Sequence, residues 1–76
     1  MRRNLCQHIP DVIYVLGPLC REETAKEIAR VFNQQFGDFI NLDTADIRYL
    51  LEKAMDSGEP IVKTIGNGWP KYELMK

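Results

Sequence analysis

Residues 43–74 read DTADIRYLLEKAMDSGEPIVKTIGNGWPKYEL, and the pattern changes once along them. Up to Gly58 the apolar residues Ile47, Leu50, Leu51 and Ala54 recur at i, i+3, i+4 and i+7, the signature of one face of an amphipathic helix. Asp43 suits the N-cap, Asp46 places negative charge in the positive first turn, and Ser57-Gly58 supplies the stop. The spacing predicts a helix over 43–57. From Pro60 onward Ile61-Val62-Lys63-Thr64-Ile65 is short and β-branched, Gly66-Asn67-Gly68 is turn chemistry, and Lys71-Tyr72-Glu73-Leu74 alternates polar with apolar. A β-hairpin over 61–75 follows, with the register of its first strand open because Ile61 and Ile65 share a face with Lys63.

Upstream, Thr24 and Glu27 have the three-residue spacing of a capping box. Ala25, Ile28, Ala29, Phe32 and Phe36 continue from it at helical spacing, and Gly37 is expected to end the run in the left-handed conformation. A first, short and apolar helix is expected over 10–16, opened by Pro10 and stopped by Gly17-Pro18. Residues 1–9 are then an N-terminal arm and residues 10–76 one domain. The expected core is Val12, Ile13, Leu16, Ile28, Ala29, Phe32, Phe36, Ile47, Leu50, Leu51, Tyr72 and Leu74.

The whole chain is 76 residues, 45% apolar and 28% charged, which fits one globular domain. No apolar run reaches the roughly 20 residues of a membrane-spanning helix. The segment MRRNLCQHIP lacks the apolar core of a signal peptide and there are two cysteines, so a cytoplasmic protein is expected. Cys6, His8 and Cys20 are too few and too irregularly spaced for a structural zinc site. His8 is the single histidine and has no neighbouring nucleophile, and Gly66-Asn67-Gly68 joins two strands and does not open a helix. No catalytic residue, metal or cofactor is expected, and the chain reads as a binding module, not an enzyme.

Three helices followed by a Gly-tipped hairpin, with ETAKEIARVF, DIRYLLEKAMDSG and GNGWPKYEL in that order, resemble the winged helix-turn-helix family. The resemblance covers residues 10–75. It implies an α+β fold, a three-helix bundle with a C-terminal two-stranded β-hairpin wing, and a transcriptional regulator whose helix 43–57 enters a DNA major groove while the wing meets a phosphate backbone. The residues placed for DNA under this reading are Arg2, Arg3, Thr44, Arg48, Tyr49, Lys53, Lys63 and Lys71, with a homodimer as a further option.

Charge gives a second reading its footing. The protein carries net −1, and residues 43–58 carry four carboxylates against Arg48 and Lys53, net −2, where phosphate binding favours cations. A winged-helix domain can instead serve as a subunit, adaptor or inhibitor that binds protein. Tyr49 lies opposite the apolar stripe, and Trp69 with Pro70 lies at the hairpin tip. All three are then protein-contact residues, since aromatics are enriched at interfaces. Trp69 is expected to be substantially exposed because the glycine-rich turn projects away from the helices.

Overall fold

The computed structural model describes residues 5–19 and 22–75. Arg2, Arg3 and Cys20 lie outside the described residues. The chain forms a small α+β domain of three helices and a three-stranded antiparallel sheet. A 3-10 turn at Leu5–His8 leads into α1 (Ile9–Leu19), followed by β1 (Glu23–Thr24), α2 (Ala25–Phe36), α3 (Thr44–Asp56), β2 (Ile61–Thr64) and β3 (Lys71–Leu74). In the expected arm, Leu5 and Ile9 pack against the core.

The first helix is longer than the expected 10–16, since it runs through Gly17 and Pro18 to Leu19. Proline's fixed φ is helical, so Pro18 fits the last turn of the helix at the cost of the hydrogen bond to the carbonyl four residues back and of crowding against it. That residue, Tyr14, is 62% exposed. At the start of α2, Thr24 caps as expected and its hydroxyl accepts from the Glu27 N–H at 3.4 Å. The Glu27 carboxylate accepts from Arg30 at 2.8 Å.

Gly37 does not end α2 in the left-handed region, because its φ is −63°. Glycine is required there by close approach: a Cβ would stand 2.3 Å from the Asn33 carbonyl oxygen. Asn33 also organises the connector that follows. Its side-chain amide donates to the Leu42 carbonyl at 2.8 Å, and its side-chain oxygen accepts from the Leu42 N–H at 2.9 Å. This two-point clasp buries Leu42 and delivers the chain to Asp43. There the full capping box forms, with Asp43 accepting from the Asp46 N–H and Asp46 accepting from the Asp43 N–H.

The end of α3 is equally well specified. Gly58 takes φ +92°, its N–H donates to Met55, and the Glu59 N–H donates to Ala54, each at 3.0 Å. This is the paired hydrogen bonding of a Schellman stop, which needs a residue tolerant of positive φ.

The sheet corrects the two-stranded expectation. β3 pairs antiparallel with β2, Ile61 opposite Leu74 and Thr64 opposite Lys71, and on its other edge with β1, Glu23 opposite Tyr72 and Thr24 opposite Lys71. The order is β1-β3-β2. Two residues carry no readable period, so β1 left no trace in the sequence pattern. On β2, Ile61 is buried, Lys63 half-buried and Val62 exposed, while Ile65 lies beyond the strand and is 73% exposed.

One core joins helices to sheet: Val12, Val15 and Leu16 of α1, Ala25, Ile28, Ala29 and Phe32 of α2, Ile47, Leu50, Leu51 and Ala54 of α3, with Leu42, Ile61 and Tyr72. Of the expected core, Ile13, Phe36 and Leu74 are only partly buried and pack on its margin. Phe36 stacks at 4.9 Å on Phe32 and meets Tyr14 edge-on at 6.3 Å. Val15, Leu42 and Ile61 are core residues beyond the expected set, and Ala25 and Ala54 of the two predicted apolar stripes are buried with them.

Leu50 is fully buried on α3, where its stripe meets both the other helices and β2. Leu50→Ala should lower the unfolding free energy by about 2–5 kcal/mol, the usual loss for an emptied leucine site. Chemical denaturation checks it, and a loss under about 1 kcal/mol would contradict the phase of α3.

Candidate binding groove between the helix starts and the hairpin

Thr24 has three roles at one point of the chain. It ends β1, caps α2 and stands opposite Lys71 of β3, so the start of α2 is fixed against the returning strand of the hairpin. α3 packs on α2 and β2, which brings its first turns to the same place. Between them lies a groove of about 290 Å³. Thr24, Ala25 and Lys26 form the α2 side, Thr44 and Arg48 the α3 side, and Trp69 with Pro70 the hairpin side, with buried Tyr72 beneath. Lys26 and Arg48 are both exposed, and among the described residues no carboxylate lines the groove. Two helix starts add positive partial charge, opposed in part by Glu27, Asp43 and Asp46 in the first turns.

Trp69 is 74% exposed. The loop 65–70 carries it outward from the sheet, and Gly68 with φ +102° turns the chain just before it. Of the residues placed for DNA from the sequence, the fold gathers Thr44 and Arg48 at this groove, and it brings Trp69 and Pro70 to the opposite wall. Tyr49 follows Arg48 directly, on another face of α3, and Lys53 lies one turn beyond it, its ammonium 5.6 Å from the Tyr49 ring centroid. Lys71 is exposed at the start of β3. Lys26 was missed, because only the β1–β3 pairing places the start of α2 beside the hairpin.

Lys63 is differently disposed from its sequence assignment as a phosphate anchor. Its ammonium donates to Glu52 of α3 at 2.7 Å, tying β2 to the helix. The Glu52 hydrogen bond raises the Lys63 pKa above the ordinary lysine value, against partial desolvation and the nearby Arg48 charge. Its charge is already matched within the protein.

Among the described residues no three His, Cys, Asp or Glu side chains come together as metal ligands. Cys6 is exposed and His8 faces Asp11 at 3.4 Å. No helix among them is long and apolar enough to cross a membrane. The fold and the groove define a small helix-and-sheet domain with a cation-rimmed, partly apolar concavity. Comparison with protein-family models, with curated proteins and with solved structures finds no match to the chain.

Two outcomes follow for the groove's supports. The Tyr72 hydroxyl is buried and has no hydrogen-bond partner among the described residues. Burying an unpaired hydroxyl costs about 1–3 kcal/mol. Tyr72→Phe should therefore leave stability unchanged or raise it, and a loss above about 1 kcal/mol in denaturant melts would reveal a partner for the hydroxyl. For the ion pair, a raised folded pKa means stabilisation that is complete below the unfolded lysine value and fades as pH rises through the folded one. Thermal melts of Glu52→Gln should fall below wild type at neutral pH, with the gap closing above pH 10.5. A gap unchanged at high pH would contradict the pairing.

Proposed function

We propose that this chain is a winged-helix module that binds double-stranded DNA in the role of a transcriptional regulator. The first half of α3 and the β2–β3 hairpin, acting as the wing, are its contact surface. The observation that carries the proposal is the groove between them, with Lys26 and Arg48 at its rim and, among the described residues, no carboxylate in its lining. The element order α1-β1-α2-α3-β2-β3, with β3 between its partners, supports the winged-helix reading.

Charge placement supports it further. The net −2 over residues 43–58 counts against DNA when only the sequence is considered. Yet Glu52 is bonded to Lys63, and Asp43 and Asp46 form the reciprocal cap. One of the four acids is thus matched by a cation and two serve the helix start, while Arg48 stays exposed beside the groove. Phosphate contacts through Lys26, Arg48 and Lys71, with the α3 start directed at base edges, fit the way such modules divide positioning from readout. A single small module reads few base pairs, so regulation would call for two copies on paired half-sites.

A protein partner is the second reading, favoured by one observation: β2 and the loop after it expose Val62, Ile65 and Trp69. Aromatic residues such as tryptophan are enriched at protein interfaces. Salt response separates the two readings, because release of counterions makes DNA affinity fall steeply with salt.

Lys26→Ala with Arg48→Ala should weaken binding of any duplex and flatten the plot of log K against log salt by about 2, near 0.9 for each phosphate contact removed. Anisotropy of a labelled duplex at several salt concentrations measures it. Wild-type protein that binds no duplex even at low salt would remove the DNA reading and leave the protein partner.

A further inference from the structure

We infer that the groove beside Trp69 holds one unpaired nucleotide of a DNA strand, so that the module prefers duplex carrying an unstacked base over fully paired duplex. This rests on the DNA reading above and extends it to the ligand of this particular concavity.

Three features converge. The first is shape. A volume of about 290 Å³ accepts one planar ring with its sugar but not a base pair or a length of chain. A paired, stacked base presents only its edge to a protein, and both of its faces are already covered. Filling a concavity therefore requires a base that has left the stack.

The second is the wall. Trp69 stands 74% exposed, and Pro70 and buried Tyr72 also line the groove. Tyr72 sits in the central strand, paired with Glu23 on one side and Lys63 on the other, and the tryptophan lies three residues before it, at the end of the loop that leads into that strand. Aromatic faces of this kind are the platforms on which proteins stack single-stranded bases, without strong preference for which base.

The third is charge. Lys26 from α2 and Arg48 from α3 approach from separate elements, and among the described residues the lining holds no acid. An apolar wall with two cations at the rim matches a ligand that is flat and uncharged at one end and anionic at the other. A nucleotide has that division. An apolar peptide side chain lacks the anion, and a free phosphate has no use for the indole.

The test uses the full chain and three labelled oligonucleotides of one sequence: a blunt duplex, the same duplex with a one-nucleotide bulge, and the same duplex with a three-nucleotide single-stranded overhang. Anisotropy gives affinities, and Trp69, the one tryptophan in the chain, reports stacking by quenching. The expected result is binding of the bulged and overhanging forms at least tenfold tighter than the blunt form, about 1.4 kcal/mol. Strong quenching should appear only with those two.

Trp69→Ala should lose the preference while keeping its melting temperature, and Trp69→Phe should keep most of the preference. Equal affinity for all three oligonucleotides overturns the nucleotide site and leaves duplex binding standing, as does a preference that survives in Trp69→Ala. Absence of binding to every oligonucleotide at low salt overturns the DNA reading and this inference with it.

Discussion

Strand β3 occupies the middle of the sheet, and the rest of the arrangement depends on that position. A two-stranded hairpin alone is barely stable in water. Here β3 gains a second edge of pairing from Glu23 and Thr24 and inserts Tyr72 into the core, where it is 1% exposed. The hairpin base is thereby fixed to the start of α2. Because Thr24 is also the N-cap of α2, a small disturbance of β1 would move both the helix start and the strand register. The groove exists only while these hold.

The same constraint explains how charge is distributed. α3 must lie against β2 to bury Ile47, Leu50, Leu51 and Ala54, and this brings Glu52 within reach of Lys63. One carboxylate is matched in this way on the hairpin side of the helix, while the two in the first turn form the cap. Arg48 remains exposed at the groove, with Lys26 across from it, and Asp43 is exposed beside Thr44. The acidity of the helix, considered alone, thus omits the cations that other elements bring to the same surface. Surface pairs of this kind add little to stability, so their main consequence here is electrostatic.

The three helices were legible because their apolar spacing, the cap at Asp43 and the stop at Gly58 are local signals that agree with one another. Legibility ended where contacts are distant or short. β1 is two residues long and carries no period. Leu42 belongs to none of the predicted apolar stripes, and it is buried where Asn33, nine residues earlier, clasps its backbone. Gly37 was read as a left-handed stop although its role is to admit the Asn33 carbonyl. Within the groove, Thr44, Arg48, Trp69 and Pro70 were each identifiable by residue type and position along their elements. That they face one another, and that Lys26 joins them, follows from the β1–β3 pairing, which no local pattern encodes.

Amide chemical-shift mapping of the labelled protein during addition of a short duplex at low salt tests the central claim most directly, because it reports position and not only affinity. The account predicts shifts concentrated at Thr24 to Lys26, Thr44 to Arg48 and Lys71, together with the Trp69 indole N–H, all fading as salt is raised. The exposed Tyr14 and Phe39 lie near Phe36, at the far end of α2, about 16 Å away along a helix rising 1.5 Å per residue. Shifts centred on those two aromatics, with the groove unmoved, would contradict the account.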